Sequence, residues 1–535
     1  MGFTFFEALI VGLYYWFAWW DLCYPLFTGV AWWQDCTWCG TIMGIIFGDP
    51  LKGLMIGGSL GLIYLGALPV GANLPSDYCL ATVIAVPLAI KNNWSVETAA
   101  SLSAAFGVLG AFLDNFRRGL NTMFNTSARK HIEDKQYSKL TWDAIYGPIA
   151  LSFFIRCVPL TALLFVGGSA VADLVAKFPV WVSHGMEVIG GMLPALGVTL
   201  CMNAIGKSKL IPFFLLGFYM QTLLGVNALT SAVIAFSVAM VFIMLKQRDG
   251  QEINVNFKEF RGEIKDEGKI TKKDHAKLYF KWIKFHRCSQ AIDTFYGTGM
   301  AYCYRDILAK VYEGDDDLYQ QAMLTTLTPF IPEIIWGSAI IGIDLAMEEQ
   351  IAAHSEGVDH ESIVAIKSSL MGPVAGLGDS INYMVFWTLL KSTFYPMAAA
   401  GSYAGLLCAP ILHIVLPLWG WECYKAGYKM GAGAIVSFLR SGVLDVILEG
   451  AGVMGYMMLG VMASSNVKLS TPLVIMTNAG TAKPVQVWLN IILPGVLPLA
   501  FTLLCFLYLR KGGKSLRLLL YIAVAGLLLS LIGVL

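Results

Sequence analysis

Charge is scarce in this chain of 535 residues. Only 14% are Asp, Glu, Lys or Arg, against about 25% in a soluble domain. Lys and Arg number 37 and Asp and Glu 36, so no basic excess offers a footprint for nucleic acid, and none is expected as a partner. A second Cys-x-x-Cys is missing. Cys36-Thr37-Trp38-Cys39 stands by itself, and a zinc site needs four ligands. Other cysteines, such as Cys79, Cys157, Cys201, Cys408 and Cys505, sit inside apolar runs, where a thiol acts as a small hydrophobe. Gly512-Gly513-Lys514-Ser515 lacks the first glycine of a P-loop, which falls on Tyr508, and no strand pattern precedes it. No nucleophile–base pair or metal cluster is legible, so no catalytic residue, metal or cofactor is expected. The N-terminus has neither a basic n-region nor a small-residue cleavage site, and Met1 to Ala18 reads as retained sequence.

What is abundant is apolar length. Of all residues, 57% are hydrophobic. Runs broken by Gly and Pro fill Phe5 to Trp33, Gly40 to Val70, Tyr78 to Ile90, Leu102 to Leu113, Ile145 to Val171, Val180 to Ile205 and Ile211 to Leu245. Asp114 to Lys139 reads as a polar loop. Further apolar segments occupy Phe330 to Ala346, Ile363 to Leu389, Ala398 to Trp421, Ile435 to Met462, Val487 to Leu509 and Leu518 to Leu535. Apolar stretches of about 18 residues or more read as membrane helices. The expected fold is therefore an all-α, multi-pass membrane protein. Stretches such as Met371-Gly-Pro-Val-Ala-Gly-Leu-Gly-Asp379 predict broken or re-entrant helices, which survive at membrane depth only inside protein or along a cavity. That pattern suits a transporter and has no use in a simple anchor.

At Lys246 the character changes. Lys246 to Lys284 is dense in both charge signs, which no membrane segment carries cheaply. The predicted division is 1–245, a charged cytoplasmic linker 246–268, and 269–535. From Thr271, the spacing of Leu278, Trp282 and Phe285 predicts an amphipathic helix along the membrane surface. Arg510, Lys511, Lys514 and Arg517 lie in a short loop. The positive-inside rule puts that loop in the cytoplasm and the C-terminus outside.

Motifs then add a resemblance. Gly48-Asp49-Pro, Gly57-Gly58-Ser59-Leu60, Leu65-Gly66, Gly71-Ala72-Asn-Leu-Pro75-Ser-Asp77, Gly190-Gly191-Met192 and Ile211-Pro-Phe-Phe-Leu-Leu-Gly217-Phe218 resemble, in order, the IIC subunit of mannose-family sugar phosphotransferase systems. Lys269-Ile-Thr-Lys-Lys-Asp274, Tyr302-Cys-Tyr304, Ala346-Met-Glu-Glu349, Leu370 to Ser380 and Gly427-Tyr-Lys429 resemble the IID subunit of the same family. The likeness covers nearly the whole chain, as if the two subunits were fused end to end.

The resemblance implies two related helical halves that carry a mobile core against a scaffold, elevator fashion, in a trimeric assembly within the bacterial cytoplasmic membrane. It implies a hexose or amino sugar as substrate, and a separate phosphohistidine protein, IIB (or IIAB), as the phosphate donor. No soluble domain of about 100 residues is present to play that part, and the histidines His131, His184, His275, His286, His354, His360 and His413 show no phosphorylation context. This chain is expected to carry no covalent phosphate. An ion-coupled secondary sugar transporter is the alternative that shares broken helices and carboxylates at depth.

A sugar site needs carboxylates and amides for hydroxyls, and ionisable groups at membrane depth are candidates for function. Asp77 and Asn73 form the first pair. Asp49 reads either as a site residue or as a helix-ending turn. Asp379, Ser380 and Asn382 follow the glycines of the second half, and Asp379 could instead cap a helix. Glu348 and Glu349 read as a solvated helix end, and His413 as a structural histidine. Departures from the family pattern complete the set: Gln34 and Asp35 replace a basic residue before proline, Gly61 replaces an acidic one, and Glu333 appears where the family has Asn-Thr-His-Pro. These departures imply a substrate other than plain mannose, either hydroxyl-rich or amino-bearing.

Overall fold

The computed structural model describes residues 2–19, 32–65, 76–176, 179–205, 208–226, 228–248, 269–355, 358–440, 443–476 and 482–535. These are almost wholly helical. The first half contains α1 (Phe5–Ala18), α2 (Cys36–Phe47), α3 (Pro50–Ile63), α4 (Tyr78–Lys91), α5 (Val96–Leu120), α6 (Thr122–Glu133), α7 (Gly147–Ser152), α8 (Val158–Ala176), α9 (Val180–Ile205), α10 (Ile211–Leu224) and α11 (Ala228–Arg248). The second half contains α12 (Lys272–Phe285), α13 (Gly297–Val311), α14 (Asp316–Thr326), α15 (Ser338–Ala352), α16 (His360–Gly378), α17 (Thr388–Ala399), α18 (Cys408–Arg440) and α19 (Val443–Asn466). A three-residue antiparallel pair, β1 (Val474–Met476) and β2 (Ala482–Pro484), precedes α20 (Val485–Ile492), α21 (Val496–Arg510) and α22 (Ser515–Leu531).

Among the described residues, three helical stretches are long and apolar enough to cross a bilayer: Tyr137–Gly168, His184–Asn203 and Tyr403–Lys429. A fourth arises if α20 and α21, bent by 74° at their junction, count as one span. Most other apolar helices have only 10–17 residues, short of the roughly 20 a full crossing needs. They lie against partners instead. Side chains such as Phe6, Val166, Leu224, Leu418, Leu504 and Ile492 are at least 65% exposed. An apolar surface of that kind requires lipid as its solvent.

Close helix pairs are made by glycine, since lipid offers no hydrophobic drive and tight packing must supply the attraction. A Cβ on Gly40 would stand 2.4 Å from the Gly53 carbonyl oxygen, and one on Gly57 2.2 Å from that of Cys36, so α2 and α3 touch backbone to backbone. The same device joins α10 to α19 through Gly217 and Gly460, and α15 to α18 through Gly342 and Gly427.

The halves are interleaved. One core combines α1 to α5 with Cys505, Leu509, Leu518 and Ile522 from the last two helices. Another joins Leu62, Leu65, Ala195 and Phe214 to Tyr383, Trp387, Tyr395 and Tyr456. Polar contacts also cross between them: Tyr456 donates to the Met202 carbonyl at 3.0 Å, Asn125 to Asp293 at 2.7 Å, and Asn121 to the Gln290 carbonyl at 2.9 Å.

Three readings need correction. Residues 114–139 are helical rather than a loop, being the end of α5 and all of α6 apart from short turns. Asp114 takes Arg117 and Arg118 at i+3 and i+4, the spacing that supports a helix. Arg156, from the first apolar span, adds a third guanidinium to the same buried carboxylate at 3.0 Å. Met371 to Gly378 is not a break either; α16 runs through it and then widens into a π-helix, Asp379–Trp387. Finally, Glu348 is 1% exposed and accepts from Tyr312 at 2.6 Å, while Glu349 accepts from Tyr428 at 2.6 Å. Facing tyrosines make an interior place for both acids, which composition alone concealed.

Candidate functional site

Of the three π-helices among the described residues, Trp142–Tyr146, Phe153–Cys157 and Asp379–Trp387, the last is the organising element here. An i→i+5 ladder is rare and recurs at functional sites, because it turns side chains out of the ordinary helical register. It begins at Asp379 and ends at Trp387, and Thr388 donates its hydroxyl back to the Tyr383 carbonyl at 3.2 Å. Asn382, Tyr383 and Trp387 thereby face a cleft that is completed by Glu333, Ile334, Ile335, Ile283, Leu412, His413, Leu416 and Pro417. Its interior volume is about 40 Å³, and it opens at a mouth. All of its walls belong to the second half. An apolar pocket with a few convergent polar groups is the usual form of a small-molecule site.

Glu333 fixes one wall. Its Oε2 accepts from the backbone amides of Ile335 at 3.0 Å and Trp336 at 2.9 Å, so the turn before α15 closes on its own carboxylate. A Cβ on Gly378 would meet that carboxylate at 2.6 Å, which shows how closely α16 passes. Asp379 stands beside Glu333, and the Asn382 amide faces it without reaching hydrogen-bond distance of an acceptor. The sequence candidates Glu333, Asp379 and Asn382 are thus one cluster. Ser380 lies in the same π turn.

First-half candidates divide. Asp35 caps α2, accepting from the Thr37 amide at 3.0 Å and hydroxyl at 2.6 Å, and its other oxygen accepts from Tyr395 of α17 at 2.7 Å. The neighbouring Gln34 is 2% exposed, and neither atom of its amide has a partner among the described residues. Asp77 caps α4 through the Leu80 amide at 2.9 Å and accepts from Tyr15 at 2.7 Å. Asp49 caps α3 through the Lys52 amide at 3.0 Å, just after Gly48 turns the chain at φ +90°. Neither Asp77 nor Asp49 lines the cleft. Asn73 lies outside the described residues.

Tyr395 ties two of the family departures together. A Cβ on Gly61 would stand 2.5 Å from its ring, so the missing side chain at 61 is the space the tyrosine fills. Its hydroxyl then reaches Asp35. One turn earlier on α17, Lys391 lies 4.4 Å from the Trp387 ring centroid, 5.3 Å from that of Tyr78 and 5.6 Å from that of Tyr395. Sequence reasoning passed over Lys391, Trp387 and Tyr395. An isolated lysine two residues past an apolar run looks like its aqueous flank, and only the fold shows it 5% exposed. His413 donates through Nδ1 to the Ala409 carbonyl at 2.7 Å and sets its ring 5.9 Å from Trp387. Among the described residues no group of acids, histidines and cysteines has a metal-binding arrangement.

Comparison with known proteins shows the family of the chain. The family described as "PTS system sorbose-specific IIC component" matches residues 5–241, and "PTS system mannose/fructose/sorbose family IID component" matches residues 269–535. The chain belongs to the mannose family of sugar phosphotransferase membrane components. It holds a IIC-type and a IID-type half in one polypeptide and is a sugar permease component of that system. Among its relatives, the mannose-specific EIIC component of Escherichia coli K12 is 27% identical over 208 residues, 39% of this chain and 78% of that protein. The mannose-specific EIID component of the same organism is 28% identical over 279 residues, 50% of this chain and 96% of that protein. A cryo-electron microscopy structure of the mannose transporter ManYZ with microcin E492 aligns at 26% identity and a TM-score of 0.29, covering 50% of this chain and 98% of the other.

Proposed function

We propose that this permease binds a hexose or amino sugar in the cleft of its second half and delivers it across the bacterial cytoplasmic membrane to a phosphorylated IIB protein. Residues 1–245 and 269–535 act as the two membrane domains, and 246–268 as a cytoplasmic linker. The carrying observation is the cleft at the π-helix, where Glu333 and Asn382 supply polar groups beside the flat face of Trp387. Aromatic and apolar walls with a few fixed polar groups suit a pyranose, which has C–H faces and a hydroxyl edge. Helix pairs packed through glycine support rigid bodies that move as units in an elevator stroke. Covalent joining fixes the ratio of the halves and raises their effective concentration. Three such chains complete the assembly, and the Arg510 to Arg517 turn faces the cytoplasm.

Phosphorylation at the inner face traps the sugar, because a phosphate carries about −1.5 to −2 charge and cannot recross an apolar interior. The test is transport into vesicles that hold the purified protein, with and without phospho-IIB inside. Sugar phosphate that accumulates only with phospho-IIB is the expected result. Free sugar driven by an ion gradient without IIB would instead establish the secondary-transporter reading.

A further inference from the structure

A buried ammonium in a membrane protein ordinarily has a carboxylate beside it, because an unpaired charge is costly to remove from water. Lys391 differs. It is 5% exposed, and among the described residues its contacts are the faces of Tyr78, Trp387 and Tyr395 rather than a hydrogen bond or an ion pair. Cation–π attraction offsets part of the desolvation, and among the described residues no carboxylate comes within ion-pair distance of the ammonium.

Other donors around the same indole are idle. Trp387 Nε1 and Asn382 Nδ2 are buried without a partner. His413 donates through Nδ1 to a carbonyl, so its bare Nε2 is an acceptor. The carboxylates nearby are in the opposite condition. Asp35 accepts three hydrogen bonds and Glu333 two, all from within the protein. They hold chain segments in place and are not waiting for an amine. What the site leaves without a partner is two neutral donors, one neutral acceptor and one full positive charge, and the Trp387 ring is the wall shared between that charge and the cleft.

We infer that the substrate is an acidic sugar, a hexuronate or aldonate, and that Lys391 is the specificity-determining residue that receives its carboxylate. The inference rests on the permease reading above and replaces its hexose or amino-sugar substrate with an acidic one. A neutral hexose leaves the Lys391 ammonium unpaired. An amino sugar adds a second cation in a medium of low dielectric, where like charges repel strongly. A sugar carboxylate supplies the missing anion, and its hydroxyl and ring oxygens accept from Trp387 and Asn382.

Equilibrium binding to the purified full-length protein tests this without IIB. The probes are radiolabelled glucuronate, galacturonate and gluconate against glucose, galactose, mannose and glucosamine. At least one acid should bind about tenfold or more tightly than its neutral parent, the difference a charge-assisted hydrogen bond supplies. Lys391→Met should remove that advantage and leave neutral sugars within about twofold, while Lys391→Arg keeps most of it. Binding of a neutral hexose or glucosamine as tightly as every acid overturns the inference. So does acid binding that Lys391→Met leaves unchanged. If the methionine variant fails to fold, the acid-to-neutral ratio of the wild-type protein decides alone. A neutral hexose that binds and is phosphorylated with phospho-IIB defeats the inference but not the permease reading. An acid that binds through Lys391 yet is never phosphorylated defeats the permease reading and leaves the role of Lys391 standing.

Discussion

Removing one hydroxyl, in Tyr395→Phe, should loosen the first half of the chain from the second. In the structure that hydroxyl donates to Asp35 Oδ2 at 2.7 Å, and the other donors to this carboxylate are both from Thr37, on Oδ1. Both residues are buried, Tyr395 at 1% and Asp35 at 6% exposure, so water is poorly placed to replace the lost donor. A hydrogen bond to a charged group contributes about 1.5–3 kcal/mol. Tyr395→Phe should therefore cost about 2 kcal/mol in wild-type protein. With the carboxylate already removed in Asp35→Ala, the same change should cost less than about 0.5 kcal/mol, giving a coupling of at least about 1 kcal/mol. Asp35→Ala carries its own penalty for the lost α2 cap, about 0.5–2 kcal/mol, which the cycle subtracts. The assay is unfolding by denaturant in detergent micelles for the four proteins. Equal costs of Tyr395→Phe in both backgrounds would refute the cross-half link.

Other substitutions probe the packing and the surface helix. Gly427→Ala places a Cβ 1.9 Å from the Ala339 carbonyl oxygen, so it should destabilise by more than about 2 kcal/mol; Gly372→Ala, with nothing within 4 Å, should be neutral or slightly stabilising in the same unfolding assay. Gly61→Glu should displace the Tyr395 ring and lower the yield of folded protein on size-exclusion chromatography, because its Cβ would lie 2.5 Å from that ring. Thr271→Ala removes the capping box of α12 and should cost about 1 kcal/mol. Within that cap, burial tends to raise the Asp274 carboxyl, but the Lys310 ammonium at 2.5 Å and the Thr271 hydroxyl and amide bring it down to about 2. A depressed carboxyl stabilises above its unfolded value near 4 and loses that contribution as pH falls toward 2. The Asp274 side chain is 13% exposed and its Lys310 partner 53%, so solvent screens the pair in part and hydrogen exchange of the first turn of α12 should speed by a modest factor across that window.

Much of the architecture was legible because lipid writes strongly on composition. Long apolar runs have one cheap explanation, a helix in contact with lipid. The amphipathic α12 was readable from Leu278 and Trp282, both buried on one face. Polar segments were harder: residues 114–139 looked like a loop because Arg117 and Arg118 are charged, and only the shared Asp114 explains their burial. Within the site, Glu333, Asp379 and Asn382 stood out as acids and amides in apolar surroundings. Their meeting did not, because it depends on a π-helix, which changes register without a distinctive residue pattern. Lys391 was hidden for a related reason, since its companions Tyr78, Trp387 and Tyr395 are spread over 318 positions of sequence (78 to 395).

The most direct check on the cleft as the sugar site is equilibrium sugar binding by wild-type protein and by the variants Asn382→Ala and Trp387→Ala. Asp49→Asn serves as a control at a carboxylate outside the cleft. The account expects each cleft variant to weaken binding about tenfold or more, with the control within about twofold of wild type. Undiminished binding in both cleft variants, or loss confined to the control, would contradict it.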